Sequence, residues 1–204
     1  VDIDHYALTP EPVNGHPIVL MASRMLWDKG VAEFVEAAKI LKSQNLKARF
    51  VLVGDTDLAN PAALTHKELE ALDDSSVVEW WRWRGDMPHV FSQSNIVCLP
   101  SYREGLPKVL LEAASCGRSI VATDVPGCRE IVKDGVNGLL VPPRNTHALA
   151  DAIKALIEDP DRRKVMGQMG REIAAREFSD KMVIVETLAL YRTMLGDLSL
   201  KAAE

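Results

Sequence analysis

Two apolar rhythms alternate along this chain. Short continuous apolar runs at 18–22, 50–53, 77–81, 96–99, 120–122 and 139–141 read as strands buried on both faces. Between them the apolar positions take helical spacing, most clearly Val31, Phe34, Val35, Ala38 and Leu41. Further helices are predicted at 65–72, at 87–94, at 108–116 with Pro107 in the first helical position and Gly117 as the stop, and near 129–132. Alternating strands and helices predict an α/β fold with a doubly wound parallel sheet. Beyond Pro142-Pro143 the pattern is purely helical: a stripe of Leu149, Ala152, Ile153, Leu156 and Ile157 with Asn145 as N-cap, then helices at 161–177 and 180–195. Residues 1–16 carry Pro10, Pro12, Asn14 and Gly15 without periodicity and read as a linker. The expected organisation is therefore a linker at 1–16, an α/β domain at 17–160 and a helical tail at 161–204.

The segment 96–112 is the most informative. The apolar Ile96-Val97-Cys98-Leu99 runs into Pro100-Ser101-Tyr102-Arg103-Glu104-Gly105-Leu106-Pro107 and then a helix. Such an order delivers a helix N-terminus to the carboxyl end of a strand, where open α/β sheets bind ligands. The free N–H groups of a first helical turn suit an anion or a hydroxyl-rich ligand. Glu104 in the loop and Glu112 eight residues on in the helix frame that point. Carboxylates only accept hydrogen bonds, so they suit hydroxyls beside a phosphate, and the segment reads as a nucleotide-sugar site. The plainer alternative, a solvated Glu112 paired with Lys108 and an ordinary turn at Gly105, stays open on spacing alone.

Other segments modify this picture. The first strand-to-helix turn, Ser23-Arg24-Met25-Leu26-Trp27-Asp28-Lys29-Gly30, has neither the G-x-G-x-x-G nor the P-loop pattern, so phosphate charge there would be met by Arg24 and Lys29 side chains, unless these are merely surface cations. Asp55-Thr56-Asp57 has the form of a divalent-cation motif, but cations at Arg24 and Lys29 make a metal redundant, and none is expected. In Trp80-Trp81-Arg82-Trp83-Arg84, strand alternation sends Trp81 and Trp83 to one face and Trp80 and Arg82 to the other. Of this segment, Trp83 and Arg84 are the candidates for contact with a base. The five histidines have no nucleophile or metal-ligand companion at useful spacing.

Composition narrows the classes. With 204 residues, 47% of them hydrophobic, one substantial core is expected. A net charge of −5 argues against a nucleic-acid footprint. Cys98, Cys116 and Cys128 form no C-x-x-C pair, which favours a reducing cytoplasm over a disulfide framework. The start, Val1-Asp2-Ile3-Asp4-His5, lacks a methionine and the features of a signal peptide, so a piece of a longer cytoplasmic protein is expected, with peripheral attachment to the inner face of the cell membrane as a further expectation for the full length.

Arg24 and Lys29 after the first strand, Val53-Gly54-Asp55 after the second, the 100–107 loop with Glu112, Ala122-Thr123-Asp124-Val125-Pro126-Gly127, and Asp134-Gly135-Val136-Asn137-Gly138-Leu139-Leu140-Val141 together resemble the C-terminal half of the group 1 (family 4) glycosyltransferases. The resemblance covers about residues 17–195. It implies the second, donor-binding Rossmann-like domain of a GT-B fold, with Val1-Asp2 at the interdomain crossover and the last helices packing on this domain and toward the missing N-terminal one. It further implies that Arg24 and Lys29 hold the donor diphosphate, that Glu104 bonds sugar hydroxyls, that Gly105, Leu106 and Pro107 bring backbone to sugar and phosphate, and that Glu112 takes the ribose hydroxyls. A UDP-sugar donor, anomeric retention, no metal and a saccharide or polyprenyl-linked acceptor, as in bacterial polysaccharide synthesis, are implied in the same way. Arg82 departs from the family pattern: a long cation there would either narrow the base pocket or belong to another binding surface. A GT-B-fold epimerase or a non-catalytic nucleotide-binding module remain as alternatives.

Overall fold

All five residues of strand β1 (Ile18–Ala22) are buried, and successive side chains feed two different cores. Val19 and Met21 enter one core, while Ile18, Leu20 and Ala22 enter the other. The same division holds along β2 (Arg49–Val53), β4 (Ile96–Leu99) and β5 (Ser119–Thr123), as the two-residue period of a doubly covered sheet requires. With β3 (Glu79–Trp80) and β6 (Gly138–Val141) they form, in this computed structural model of residues 1–201, a parallel sheet in the order β3-β2-β1-β4-β5-β6.

Helices α1 (Val31–Ser43), α2 (His66–Asp74) and α6 (Thr146–Glu158) supply Phe34, Leu41, Leu69, Leu149 and Ile153 to the first core. Helices α3 (Met87–Ser92), α4 (Lys108–Ser115) and α5 (Pro126–Ile131) supply Phe91, Leu110 and Ile131 to the second. The doubly wound reading therefore holds. The chain steps outward from β1 to β3, then returns to pair β4 on the other side of β1 through Val19 with Ile96 and Leu20 with Val97. That reversal makes the carboxyl ends of β1 and β4 the switch point, where adjacent loops diverge and leave a crevice.

Helix α7 (Pro160–Glu177) packs on α4, with Asp159 capping its start, and α8 (Asp180–Lys201) follows. On α8, Ile184, Val185, Leu190 and Tyr191 are all more than half exposed. Among the described residues no helix is long and apolar enough to cross a membrane.

Residues 1–16 contain no regular element, yet polar side chains seat them firmly. Arg118, 1% exposed, donates to the Thr9 hydroxyl at 2.6 Å and to the Ser94 carbonyl at 3.0 Å. Arg163 reaches Glu11 at 2.5 Å, and Asn95 donates to the same carboxylate while its own oxygen accepts from the Ile18 N–H.

Several local expectations are corrected. The strand predicted at 77–81 is only two residues long, because the chain turns away after Trp80 and Arg82 adopts the left-handed φ of 60°. The 87–94 helix ends at Ser92, and the helix placed near 129–132 begins at Pro126, whose fixed φ starts it earlier. Pro107 is the N-cap of α4, with extended ψ, and the helix proper starts at Lys108.

Candidate functional site

A cavity of about 500 Å³ opens at the carboxyl ends of β1 and β2. Arg24 leaves β1 into it, Asp57 lies in the loop after β2, Trp83 and Arg84 follow β3, and α4 contributes Val109 and Glu112. Four of the candidate residues, Arg24, Trp83, Arg84 and Glu112, thus line one space although they come from three distant segments. Trp83 is 70% exposed, so its ring offers a free face rather than core packing.

Two more candidates meet each other in the loops after β1 and β4. Lys29 sits in a 3-10 turn at Trp27–Lys29, and its Nζ lies 2.7 Å from Glu104 Oε1. The turn is held against the end of β4, where the Tyr102 N–H donates to the Asp28 carbonyl at 2.9 Å. Gly30 ends the turn with φ 82°, and a Cβ there would overlap the Pro100 carbonyl. Only glycine satisfies both the left-handed backbone and that contact, so Gly30 lets the β1 and β4 loops touch.

Glycine also fits at 127 for reasons of space. Gly127, in the first turn of α5, abuts the carbonyls of Glu104 and Gly105, and a Cβ would collide with both. The loop carrying Glu104 is further tied down by the Thr123 hydroxyl, which donates to the Ser101 carbonyl at 2.5 Å. Glu104 is therefore presented by a backbone fixed on two sides. Leu106 turns outward, 50% exposed, onto a second cavity that also meets Glu112. Pro107 then caps α4, whose first turn has no side-chain cap, leaving the Lys108 and Val109 N–H groups available to a ligand.

Glu112 is half-buried in the second turn of α4. Burial pushes its carboxyl up, and the Tyr6 hydroxyl and Lys108 partly offset that. It is thus not the freely solvated helix residue of the plainer alternative. Arg24, by contrast, is occupied: its Nη1 lies 2.7 Å from Asp57 Oδ2.

Two expectations need revision here. Arg82 does not crowd the cavity; its guanidinium stacks 4.4 Å over the Trp80 ring and faces Glu70. Alternation fails past Trp80 because the strand has ended: Trp81 packs on the second core while Trp83 swings into solvent. The aspartates of the 55–57 segment have protein partners, Asp57 with Arg24 and Asp55 with His66 at 3.0 Å. Among the described residues, no group of three or more His, Cys, Asp and Glu side chains is placed to hold a metal. All three cysteines are buried, and burial raises the Cys116 thiol to about 11 and the Cys128 thiol to about 12.

Sequence reasoning missed three residues that shape the site. Asp57 carries a visible signal, an acidic residue in a strand-end loop, but that signal points to a metal and not to Arg24. Gly127 lies in a family motif that names no contact for it. Tyr6 had no signal at all, being an isolated aromatic residue in an aperiodic segment.

Comparison with known proteins matches this geometry. A family model described as glycosyl transferases group 1 matches residues 9–173. The chain is 37% identical over 179 residues to the N,N'-diacetylbacillosaminyl-diphospho-undecaprenol alpha-1,3-N-acetylgalactosaminyltransferase of Campylobacter jejuni, covering 88% of this chain and 45% of that protein. It is 31% identical over 183 residues to the alpha-D-kanosaminyltransferase of Streptomyces kanamyceticus, covering 88% of this chain and 46% of that one. The chain spans about half the length of the curated relatives it matches. Among solved structures, Anabaena HepE in complex with UDP superposes with a TM-score of 0.80 at 26% identity, over 93% of this chain and 55% of that one. With its doubly wound sheet and a family model that matches most of its length, the chain belongs to the group 1 glycosyltransferase family.

Proposed function

We propose that this domain binds a nucleoside-diphosphate sugar, with UDP as the nucleotide, for transfer of a hexosyl or N-acetylhexosaminyl group with retention to a saccharide or lipid-linked acceptor. The observation that carries this reading is the convergence of Arg24, Arg84 and Glu112 on the switch-point cavity, together with the Lys29–Glu104 pair in the loops after β1 and β4. Glu112 accepts from ribose hydroxyls, the exposed Trp83 face meets the base, and Arg24 and Lys29 meet the diphosphate. The UDP complex of HepE and the undecaprenol-linked name of the Campylobacter relative support the choice of nucleotide and acceptor.

Breaking the anomeric C–O bond places negative charge on the departing diphosphate. Fixed cations and the uncapped amides of α4 stabilise that charge more in the transition state than in the ground state. Lys29 has three donors, so it contacts phosphate while keeping Glu104 aimed at the sugar. Acceptor groups come from a domain outside this chain. Without that domain the chain binds donor but transfers no sugar, because orientation of the two reactants supplies on the order of 7–11 kcal/mol in well-positioned systems.

A thermal-shift panel with UDP, GDP, ADP and their sugars, run with and without EDTA, tests the reading. Ligand at 100 times its Kd stabilises by about 2.7 kcal/mol. UDP and UDP-sugars are expected to raise the midpoint equally with and without chelator; no shift with any nucleotide overturns the proposal. Recovery of the sugar after incubation distinguishes an epimerase, which returns a changed configuration.

A further inference from the structure

Between Pro100 and Pro107, only Tyr102 and Glu104 make side-chain hydrogen bonds among the described residues, and both reach the same short stretch of chain. Glu104 meets Lys29. The Tyr102 hydroxyl donates to Glu33 Oε1 at 2.7 Å, in the first turn of α1, while the Tyr102 N–H donates to the Asp28 carbonyl at 2.9 Å. One residue thus grips the chain just before Lys29 and again four residues after it. Two places further along its own loop stands the carboxylate that Lys29 meets.

We propose that Tyr102 is a positioning residue of the donor site: its amide and its phenol together set the separation of Lys29 and Glu104, so that the phosphate and the sugar of one donor find both side chains in place. This rests on the proposed function above. Tyr102 acts through Glu104 rather than on the ligand.

The surroundings suit the phenol to this task. Its far anchor is rigid, because α1 buries Val31, Phe34 and Leu41 completely in the first core. Its ring is held as well: the Arg144 guanidinium, in the loop after β6, lies 4.4 Å over it, from a backbone with a left-handed φ of 59° that residues other than glycine seldom adopt. Glu33 Oε2 is buried with no hydrogen-bond partner among the described residues, so the phenol alone holds that carboxylate. A buried carboxylate oxygen without a partner is unfavourable, and stability by itself would be served better by two apolar side chains. The Tyr102 phenol is raised to about 12, foremost by burial and then by the hydrogen bond to Glu33, so at neutral pH it remains a donor. A phenol with few rotatable bonds also makes a stiffer link than the long, flexible Lys29 and Glu104 side chains make with each other. Without it, the loop that carries Glu104 is free to shift along the 28–33 segment, and the sugar contact suffers before the phosphate contact.

The test compares UDP with UDP-glucose and UDP-N-acetylgalactosamine by calorimetry, at a temperature where urea titration shows every variant folded. Tyr102→Phe and Glu33→Met remove the hydrogen bond from opposite ends, Glu33→Gln keeps an acceptor, and Glu104→Gln is measured alone and combined with Tyr102→Phe. The expected result is an advantage of UDP-sugar over UDP that falls about threefold to tenfold in Tyr102→Phe and in Glu33→Met, with UDP itself within about twofold of wild type. Glu33→Gln restores most of the advantage, and in the Glu104→Gln background Tyr102→Phe lowers it no further. If Glu104→Gln abolishes the advantage while Tyr102→Phe and Glu33→Met keep the wild-type ratio, however much they lower the unfolding midpoint, the role of Tyr102 is structural only: the inference is overturned and the donor site stands. A loss of equal size with and without Glu104 overturns it too. If Glu104→Gln itself retains the advantage, or wild type shows none, the assignment of Glu104 falls, and this inference with it.

Discussion

Lys29 Nζ and Glu104 Oε1 lie 2.7 Å apart, with side chains only 21% and 10% exposed, so the proposed phosphate ligand and the proposed sugar ligand are one ion pair in this chain. The pairing couples two functions that the sequence treats as separate. A partly buried carboxylate that loses its cation is left with an unpaid desolvation cost and turns away or protonates.

Lys29→Met is therefore expected to harm both functions. Calorimetry with uridine, UDP and a UDP-sugar should show uridine unchanged, UDP weakened by about tenfold or more, and the extra affinity from the sugar lost as well. Glu104→Gln separates them: UDP binding stays near wild type while the advantage of UDP-sugar over UDP shrinks. Equal loss for UDP and UDP-sugar in Glu104→Gln shows that Glu104 is not a sugar ligand.

Asp57 occupies Arg24 at 2.7 Å, in the position from which phosphate must draw that cation. Arg24 is 61% exposed, so the pair is worth little by itself, on the order of 0.2–1 kcal/mol. Asp57→Asn is expected to tighten UDP by up to about fivefold while leaving uridine unchanged, with the gain fading as salt is raised. Isothermal titration at two ionic strengths reads this directly; weaker UDP binding in the variant means that Asp57 orients Arg24 instead of competing for it.

Glu112 links binding to stability in opposite directions. Burial, the largest influence, raises its carboxyl in the folded chain above its unfolded value, so the folded state binds its proton more tightly. Its contribution to stability is then present below the unfolded value and lost as pH rises through the folded one. Glu112→Gln removes that loss. The variant should melt higher than wild type at neutral pH, by a margin that vanishes on acidification, while binding nucleotide less well. A melting curve that falls at neutral pH contradicts the burial argument.

At Gly127 an added Cβ meets the backbone carbonyls of Glu104 and Gly105, which cannot yield as a flexible side chain would. Gly127→Ala is expected to cost roughly 1–3 kcal/mol in urea unfolding by overpacking. It should also reduce the sugar advantage more than UDP affinity, since the displaced backbone carries Glu104 and not Arg24 or Glu112. Unchanged discrimination between UDP and UDP-sugar shows that the loop absorbs the shift without moving Glu104.

How much of this was legible follows from range. The strands at 18–22, 50–53 and 96–99, the helix face of Phe34 and Leu41, and the caps at Asn145 and Gly117 are local matters of period, capping and backbone sterics, and they are written in consecutive residues. So is the delivery of Glu104 and Glu112 to a strand's carboxyl end, because a strand–loop–helix order fixes it. What the sequence left undecided depends on residues that meet only after folding. Which carboxylate neutralises which cation, Lys29 with Glu104 and Arg24 with Asp57, is set by loops from different strands converging at the switch point. The place of Arg82 was decided by a strand that ends at Trp80 and a left-handed turn that throws its guanidinium back over the indole. The Tyr6 carbonyl meets Ser115 and Arg171 across more than a hundred residues of chain because α4, α7 and the amino-terminal segment pack together. Local sequence carries propensity and pattern; charge pairing, burial and contact between distant segments exist only once the tertiary fold has brought them to one place.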